Sequence, residues 1–397
     1  MQAKARRPLN PSVAHRLLLL AAWFLISSVA CVDDGERSRT TAAAPRPAEA
    51  FHLQFDLRLH GTPSTPFGVV GAIATDALGR FYVLDGMVQT VYVFDADGNH
   101  VNTLGGRGSG PGEFTGAMDI AVSPDSLIWV TDGVAGRHTV FDLGGNVVRT
   151  IPRRYRGDSY VGDRPFGMYG EYVDWILAFP NETAFSASDV IEVYPVVVGP
   201  GADVDTMPPI RFRPDLVEIG NERRPAVFFA PTLLVAMDGR GSIWFSDSRD
   251  YRVIRRSLTG DTIGELRLRE EAALVSEEDK RGIQALARGR ASMLRYIDVL
   301  PDRKPTIAGI VADGAGRVLV VPETVTARRG EAVDLFEETG EYLGRLVVPQ
   351  RVDLPAGGVV MHATGEFLYL GGTDETGTPV LLRLRIVPSK EVGGSSS

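Results

Sequence analysis

The sequence predicts an all-β fold, a six-bladed β-propeller whose blades are four-stranded antiparallel sheets. Residues 73–104 and 120–151 repeat one pattern at an offset of 47 residues, and repeats of about 40–50 residues are typical of propeller blades. Each copy consists of short β-rich runs, such as 81–84, that are separated by turn clusters, such as 95–98. An aspartate precedes a glycine by 13 residues in three places, namely Asp85 and Gly98, Asp132 and Gly145, and Asp247 and Gly260.

The number of blades follows from the spacing of one marker position in each recognisable repeat. Two later residues are taken as degenerate equivalents of the repeated aspartates. The five markers are Asp85, Asp132, Asp247, Pro322 and Gly371. Their successive gaps are 47, 115, 75 and 49 residues. The gap of 115 residues holds one hidden blade and about 21 further residues, and the gap of 75 holds one period and about 28, so six blades are predicted.

The last repeat lacks one of its four strands. Only three β-rich runs remain near the C-terminus, in residues 359–363, 366–370 and 380–387. An open ring would leave a sheet edge exposed, and folded proteins avoid such edges. The alternating segment 51–59 can supply the missing strand. We therefore predict that it pairs with the C-terminal blade and closes the ring.

The first 30 residues have the character of a secretory signal. They carry four basic residues and no acid, followed by an apolar run, 17–30, that is too short for an ordinary transmembrane helix. Residues 28–30 form an Ala-X-Ala-like cleavage site in front of Cys31, the only cysteine of the chain. Ser-Val-Ala-Cys resembles a bacterial lipobox, with serine where leucine is usual. The resemblance implies lipid attachment at Cys31, and the alternative is a soluble secreted chain that begins at the same residue.

The predicted organisation has four parts. They are a signal peptide at 1–30, a disordered tether at 31–50, the propeller at 51–387 with a helical insertion at about 270–300, and a disordered tail at 388–397. The tether is polar and rich in Ala, Pro and Thr, without a pattern that could build a core. Lipidation would place the protein in the periplasm or at the cell surface, and Val32 after the cysteine favours the outer membrane.

The composition is that of a large folded domain. The chain has 397 residues, of which 44% are hydrophobic and 23% are charged, as in ordinary globular proteins. Its formal net charge of −8 becomes −12 when the four basic residues of the signal are removed. Nucleic-acid binding needs a basic surface, so DNA and RNA are discounted as partners.

Three segments of the sequence resemble the NHL-repeat type of bacterial six-bladed β-propeller. Two are strand segments, Phe-Tyr-Val-Leu-Asp at 81–85 and Val-Tyr-Val-Phe-Asp at 91–95. The third, 105–114, is a glycine-rich connection that ends in Pro-Gly-Glu-Phe and leads to the inner strand predicted at 117–122. The resemblance extends over about residues 51–387. It implies a binding scaffold more often than a catalyst.

Metal-dependent lactonases of the gluconolactonase and paraoxonase types also have six-bladed rings, and they provide the sharpest enzyme hypothesis. Such enzymes gather metal ligands from the inner strands at the central channel. Asp119 is the only acid in the predicted inner strands, whereas a hard cation needs several oxygen ligands. We therefore assign no catalytic or metal-binding residue and predict no cofactor.

Two sets of repeated polar residues are interpreted as structural. Asp85, Asp132 and Asp247 occur once per blade, so we predict that each caps neighbouring backbone. His362 precedes a glycine by three residues and is interpreted as a turn residue. It is aligned with three aspartates that have the same spacing to a glycine, namely Asp76, Asp238 and Asp313.

The insertions are the best candidates for function, because function in a repeat ring usually resides in segments that interrupt the repeat. The first insertion, 153–231, combines tyrosines with arginines, which binding surfaces favour. The candidate binding surface consists of Tyr155, Tyr160, Tyr169, Arg153 and Arg156. The alternative is that this segment only builds the hidden blade, which we expect for residues 172–179 with Trp175 and Phe179.

The second insertion, 270–300, predicts a helix that packs on one rim of the ring. Ser276 and Asp279 resemble an N-terminal cap. Apolar residues at near-helical spacing follow, namely Ile283, Leu286, Leu294 and Ile297. Three arginines recur every seven residues and are interpreted as a solvated face rather than a docking surface, namely Arg281, Arg288 and Arg295.

The sequence therefore predicts an exported, lipid-anchored propeller that binds an unknown protein, peptide or glycan through one rim without catalysis. Two alternatives stay open. One is a lactonase-like hydrolase or lyase at the central channel, with a metal held by loop residues. The other is a structural subunit of an envelope assembly.

Overall fold

The computed structural model describes residues 50–153, 158–159, 172–178, 190–199, 204–220, 222–225, 228–286, 295–323, 332–354 and 359–389. The predictions for the signal peptide, for nearly all of the tether and the tail, and for Cys31 lie outside these ranges. The described part consists mainly of β-strands, with one α-helix and one 3₁₀ helix. No helix in it is long and apolar enough to span a membrane.

The strands of the first half build three blades. The chain starts with β1 (Phe51–Leu59), and blade 1 follows with β2 (Val70–Thr75), β3 (Phe81–Asp85), β4 (Thr90–Phe94) and β5 (His100–Leu104). Blade 2 consists of β6 (Ala117–Val122), β7 (Ile128–Asp132), β8 (Arg137–Phe141) and β9 (Val147–Pro152). Blade 3 contains β10 (Asp158–Ser159), β11 (Tyr172–Ala178), β12 (Ile191–Val198), β13 (Val204–Thr206) and β14 (Ile210–Phe212).

The second half adds a hairpin and three more blades. The hairpin consists of β15 (Leu216–Ile219) and β16 (Glu222–Pro225). Blade 4 consists of β17 (Leu234–Met237), β18 (Ser242–Ser246), β19 (Arg252–Ser257) and β20 (Thr262–Arg267), and it is followed by α1 (Glu277–Leu286) and the 3₁₀ helix Ile297–Val299. Blade 5 consists of β21 (Ile307–Ala312), β22 (Arg317–Pro322), β23 (Ala332–Glu337) and β24 (Tyr342–Val347). Blade 6 has β25 (Val360–Ala363), β26 (Phe367–Thr373) and β27 (Pro379–Pro388).

The regular blades are antiparallel meanders whose strands pair in chain order. The first strand of a blade is innermost, since β2 lies beside β6 and β25, and β17 lies beside β21. Because neighbouring strands run in opposite directions, the chain enters the first strand of a blade at one end of the ring, and the turn between the second and third strands lies at that same end. We call this end of the ring the connection face and the other end the opposite face. The first insertion starts after β9, the last strand of blade 2, and the second starts after β20, the last strand of blade 4, so both start at the connection face.

Strand β1 completes blade 6, which confirms the predicted closure. The sheet order is β1-β27-β26-β25, and the register runs from Phe51 opposite Pro388 to Leu59 opposite Leu381. A salt bridge joins the two strands, with Arg383 Nε 2.5 Å from Asp56 Oδ2. The first described strand is therefore the fourth strand of the last blade.

Blade 3 is the predicted hidden blade, and its outer position is irregular. Trp175 in β11 is fully buried, as expected, whereas Phe179 lies outside the described residues. Two short strands, β13 and β14, share the position beside β12 that a single strand occupies elsewhere. Pro208 and Pro209 separate them, and proline cannot donate the ladder hydrogen bonds that a continuous strand needs.

Apolar side chains between neighbouring blades form the core. Phe114, the last residue of the Pro-Gly-Glu-Phe segment, is fully buried between blades 1 and 2. A Cβ atom on Gly105 would lie 2.1 Å from Cε2 of Phe114, and Gly105 has a φ of 73°. Only glycine suits this position. Burial of one such phenylalanine stabilises the fold by about 1.5–3 kcal/mol.

The turns on the opposite face confirm three of the four predicted turn residues. In blade 1, Oδ1 of Asp76 accepts the backbone N–H of Arg80 at 3.0 Å. In blade 6, Oγ1 of Thr364 accepts the N–H of Phe367 at 3.0 Å instead. The predicted turn role of His362 is therefore wrong, because this turn is one residue shorter and His362 lies inside β25. The three aspartates that do cap such turns are Asp76, Asp238 and Asp313.

The helical insertion begins with the predicted cap. The hydroxyl of Ser276 donates to Oδ2 of Asp279 at 2.7 Å, and the N–H of Asp279 donates to Oγ of Ser276 at 3.2 Å. Ile283 is buried, as the helical spacing requires. Arg281 and Arg295 are exposed, and Arg288 lies outside the described residues.

Candidate functional site

Asp85, at the end of β3, organises the connection face of blade 1. Its side chain is fully buried and accepts the N–H groups of Gly68 at 2.6 Å and Val69 at 3.1 Å, which belong to the incoming connection. It also accepts those of Met87 at 2.9 Å and Val88 at 3.2 Å in the turn to β4. One carboxylate thus joins the connection to the turn.

Asp132 has the same role in blade 2. It is fully buried and accepts the N–H groups of Thr115 at 2.7 Å and Gly116 at 3.0 Å in the connection. It accepts the N–H of Ala135 at 2.8 Å in the turn to β8. The predicted capping role is confirmed for Asp85 and Asp132.

Blade 4 makes the equivalent contact with a different residue. Asp247 is exposed, and among the described residues it caps only its own turn, through the N–H of Arg249 at 3.2 Å. Ser248 is fully buried, and its Oγ accepts the N–H of Thr232 in the incoming connection at 2.8 Å. In blade 4, the hydrogen bond to the incoming connection is therefore accepted by Ser248 and not by Asp247.

The turns held by Asp85 and Asp132 carry apolar side chains outward. Met87 is 60% exposed and Val134 is 75% exposed. Each lies over a glycine of the connection. A Cβ atom on Gly68 would be 2.7 Å from Cβ of Met87, and one on Gly116 would be 2.3 Å from Cγ2 of Val134. These glycines therefore let the two turns lie close against the connections.

A glutamine of blade 1 connects its turn to the first strand of blade 2. Nε2 of Gln89 donates to the carbonyl of Gly86 at 2.6 Å, and its Oε1 accepts the N–H of Ala117 at 2.6 Å. Blade 1 is thereby tied to the first residue of β6. Val69 and Val88 of blade 1 are also more than a third exposed. We use the name apolar patch for the four exposed residues Val69, Met87, Val88 and Val134.

Two arginines flank the apolar patch. Nη2 of Arg107 donates to the carbonyl of Met87 at 2.5 Å. Nη2 of Arg137 donates to the carbonyls of Gly110 at 3.0 Å and Glu113 at 2.7 Å. Among the described residues, neither guanidinium has a carboxylate partner. This part of the connection face therefore combines exposed apolar side chains with two arginine side chains.

Of the predicted binding surface, only Arg153 lies in the described residues. Its N–H donates to the carbonyl of Gly136 at 2.8 Å, which places it beside the β7–β8 turn. Its side chain is 7% exposed, with Nε 2.7 Å from Oδ2 of the fully buried Asp174. Arg153 thus joins blades 2 and 3 where the first insertion begins. The other predicted residues lie outside the described ranges, namely Tyr155, Tyr160, Tyr169 and Arg156.

The second insertion is anchored to the connection face by a buried ion pair. Nζ of Lys304 lies 2.7 Å from Oδ1 of Asp279, and both side chains are 2% exposed. Burial acts to raise the pKa of Asp279, but the hydrogen bond from Lys304 holds that pKa below its usual value. Lys304 also lies over the ring of Phe229 at 5.2 Å. The N–H of Thr306 donates to the carbonyl of Ser248 at 2.8 Å, which connects the insertion to blade 4.

His362 is a titratable residue of β25, the first strand of blade 6. Its Nε2 is 2.9 Å from Oγ1 of Thr75, so the pair joins the first strands of blades 6 and 1. Burial lowers the pKa of His362 to about 4, and the ring is neutral at pH 7. Asp119 of β6 is buried. The residues that the structure describes contain no group of three His, Cys, Asp or Glu side chains that could hold a metal ion.

Comparison with known proteins agrees with this architecture. A family model described as a 6-bladed beta-propeller matches residues 49–153. No curated protein matches the chain in sequence. The solved structure of a Bacteroides fragilis protein described as exported is similar at a TM-score of 0.51 and 14% identity, and the match covers 87% of this chain and 97% of that one.

Two further solved structures are similar over comparable lengths. A DUF4221 family member from Bacteroides vulgatus has a TM-score of 0.47 and 10% identity, with 86% of this chain and 99% of that chain covered. Virginiamycin B lyase from Staphylococcus aureus has a TM-score of 0.46 and 10% identity, with 85% and 100% covered. At such identities the likeness concerns the fold alone. The chain is a six-bladed β-propeller.

Proposed function

We propose that this protein is an exported, lipid-anchored scaffold that binds a protein, peptide or glycan through its connection face without catalysing a reaction. The observation that carries the proposal is the shared placement of three features. The apolar patch and the starting points of both insertions lie on the same end of the ring. A partner that approaches this end would meet all three.

The exposure of the apolar patch supports a binding role. Isolated apolar residues are common on protein surfaces, but apolar side chains grouped on one surface mark interaction sites. Met87 and Val134 are 60% and 75% exposed and belong to neighbouring blades that Gln89 joins. On the opposite face, Leu78 is 71% exposed. It therefore offers a control position of equal exposure.

Export and anchoring follow from the N-terminal sequence. The basic and apolar segments of 1–30 and the Ser-Val-Ala-Cys segment support cleavage before Cys31 and lipidation of its thiol. The polar residues 32–50 would then act as a tether. This tether leads directly into β1, so it would separate the ring from the membrane and leave the connection face accessible to a partner in the periplasm or at the cell surface.

Site-specific photo-crosslinking in cells tests the binding function. A benzophenone amino acid is placed at Val134 on the connection face and, in a matched variant, at Leu78 on the opposite face. We expect a discrete adduct from position 134 that is absent from position 78, and mass spectrometry identifies its partner. Equal adducts from both positions, or none from position 134, would contradict the proposal.

Metabolic labelling with a lipid precursor tests the anchor. The native chain should incorporate the label and sediment with membranes, whereas Cys31→Ser should lose both properties. An unlabelled native chain in the soluble exported fraction would show that cleavage leaves an unmodified thiol, and the lipid anchor would then be rejected.

A hydrolase or lyase with its site at the central channel is the second candidate. The observation that favours it is the position of His362 in the first strand of blade 6, since imidazole is the most frequent general base of enzymes. Metal analysis of the purified protein distinguishes the two candidates. Stoichiometric calcium or zinc that stabilises the fold would favour the enzyme, and a metal-free protein of unchanged stability would favour the scaffold.

A further inference from the structure

We infer that the lipid anchor holds the ring with its opposite face toward the membrane, so that the connection face points away from the bilayer and binds a partner outside that membrane. The inference rests on the proposed function and narrows its partner by location. Three observations carry it, namely the direction of β1, the contacts that fix the start of β1, and the charge of the opposite face.

Strand β1 runs from the opposite face to the connection face. It is the fourth strand of blade 6 and is antiparallel to β27. Strands of a meander alternate in direction, so the fourth strand starts at the end of the ring where the first strand finishes. After Leu59 the chain continues into the connection whose Gly68 and Val69 donate to Asp85. The tether therefore joins the ring at the opposite face.

Backbone hydrogen bonds fix the point at which the tether joins the ring. The N–H of Ala50 donates to the carbonyl of Leu343 in β24 at 3.3 Å. The carbonyl of Ala50 accepts the N–H of Ser389 at 2.9 Å, so the first and last described residues lie side by side. Blades 5 and 6 therefore both hold the attachment point.

A cation–π contact places this point beside the turns of the opposite face. The guanidinium carbon of Arg317 lies 5.1 Å from the centre of the Phe51 ring. Nε of Arg317 is 2.6 Å from Oδ2 of Asp313, which caps an opposite-face turn of blade 5. Nη2 of Arg317 donates to the carbonyl of Gly365, in the corresponding turn of blade 6, at 2.6 Å. The start of β1 is therefore held next to these two turns.

The length of the tether limits how far the ring can turn over. Residues 31–49 precede the attachment point, and a flexible chain of that length has an average end-to-end distance of about 25 Å. The inner strand β2 has 6 residues, and six residues of strand span about 20 Å. Helix α1 on the connection face adds about 10 Å. To lay the connection face on the bilayer, the tether would have to stretch beyond its average length, whereas the opposite face reaches the bilayer without stretching.

The opposite face is negatively charged and therefore does not adhere to an anionic bilayer. Its arginines Arg80, Arg240 and Arg317 each pair with an acid of the same face. Further acids are exposed in its turns, namely Asp97, Asp125, Asp261, Glu337 and Glu341. Repulsion by anionic lipids acts only within about 8 Å at physiological salt. It therefore keeps a gap between ring and bilayer, and attachment depends on the lipid of Cys31.

This orientation determines which partners reach the connection face. A lipid headgroup, or a protein embedded in the anchoring membrane, lies on the far side of the ring from the apolar patch. A macromolecule in solution, or one attached to a facing surface, meets the patch directly. The partner therefore belongs to the space beyond the ring and not to the anchoring membrane.

Förster transfer to a dye-labelled bilayer measures the orientation. The lipidated protein carries one donor dye on Leu78→Cys or on Val134→Cys, which replace residues of 71% and 75% exposure on the two faces. Lipid occupies the thiol of Cys31, the only native cysteine, so each variant has one free thiol. The vesicles contain phosphatidylethanolamine, phosphatidylglycerol and an acceptor-labelled lipid. Transfer from position 78 should be at least about twofold more efficient, because about 20 Å of ring separates the two positions. Equal transfer, or more efficient transfer from position 134, would overturn the inference.

Two further variants test the cause of the orientation. About 30 Gly-Ser residues inserted after residue 40 raise the average reach of the tether to about 40 Å, so the difference in transfer should decrease. An unchanged difference would reject the tether as its cause. The Cys31→Ser protein should not bind the vesicles. Binding of that protein with transfer from position 78 would show that the opposite face itself binds lipid, which contradicts the inference.

The location of the partner provides an independent test. The partner crosslinked from Val134 should be recovered from cells in a soluble fraction or in an envelope fraction other than the anchoring membrane. A partner that is an integral protein or a lipid of the anchoring membrane would overturn the inference.

The outcome is separable from that of the proposed function. A native chain without lipid would reject both the anchor and this inference. A lipidated chain with equal transfer from positions 78 and 134 would reject only the inference, and a discrete adduct from Val134 would still support the scaffold.

Discussion

The hydroxyl of Tyr251 in blade 4 donates a 2.5 Å hydrogen bond to Oδ2 of Asp334 in blade 5. Both residues are buried, and Asp334 also accepts bonds from Tyr342 at 3.0 Å and from Arg345 at 2.8 Å. Burial and then the charge of Asp334 raise the pKa of Tyr251 well above its usual value. The two blades are therefore joined by a buried carboxylate whose donors come from both.

Removal of this interblade hydroxyl should destabilise the ring. Tyr251→Phe is expected to lower the free energy of unfolding by about 1.5–3 kcal/mol, the range for a hydrogen bond to a charged group. Chemical denaturation measures the change. Tyr342→Phe removes a longer, partly exposed bond to the same carboxylate and should cost less. A larger loss from Tyr342→Phe would contradict the order of bond strengths that the geometry implies.

Asp132 should contribute much more to stability than Asp247, although both occupy the same position of the repeat. Asp132→Ala leaves the N–H groups of Thr115, Gly116 and Ala135 without their acceptor, and we expect a loss of about 3 kcal/mol. Asp247→Ala should cost less than about 1 kcal/mol, since its side chain is exposed. Urea unfolding of the two variants provides the comparison, and equal losses would show that the buried contacts do not hold blade 2.

Arg153 should act as an anchor of the first insertion rather than as an exposed contact. Arg153→Leu leaves the fully buried Asp174 without the guanidinium 2.7 Å away, so the expected loss of stability is about 3 kcal/mol. The exposed Arg281→Leu serves as a control and should change stability by less than about 0.5 kcal/mol. If both variants unfold at the same denaturant concentration, the ion pair is not an anchor.

The stability of the protein should depend on the protonation of His362. Its folded pKa of about 4 lies below the ordinary value of 6.5, so the unfolded chain binds the proton first as the pH falls. Well above the ordinary pKa, protonation of His362 does not affect the free energy of unfolding. As the pH falls from the ordinary pKa to the folded pKa, it lowers the free energy of unfolding increasingly. Between about pH 7.5 and about pH 5 the native protein should lose about 2 kcal/mol more than His362→Gln. If the free energy of unfolding falls equally in both proteins, a titratable group other than His362 is responsible.

The sequence allowed the ring and its closure to be predicted, because both depend on periodic patterns. The repeat determined the strands of blades 1 and 2, and the alternation of residues 51–59 matched the strand missing from the last blade. Irregular parts gave weaker signals. The split outer strand of blade 3 depends on Pro208 and Pro209, and the hairpin β15–β16 has no counterpart in the repeat.

Individual polar contacts were less predictable, because they depend on geometry rather than on spacing. His362 was placed in a turn since its distance to a glycine matches that of Asp76, but the shorter turn of blade 6 uses Thr364. The pairing of Arg153 with Asp174 joins residues of different blades, and no local pattern indicates it. The exposed Met87 and Val134 were overlooked because turn signals do not reveal which side chains face solvent.

Closure of the ring by β1 is the central claim, since it completes the blade order that places all the connections between blades on one face. Hydrogen exchange along β1 and β27 measures it most directly. We expect the bonded amides of Phe51–Leu59 to be protected and to exchange on the same timescale as those of residues 381–388, with which they pair. Rapid exchange throughout Phe51–Leu59, together with protection of the remaining strands of blade 6, would contradict the claim.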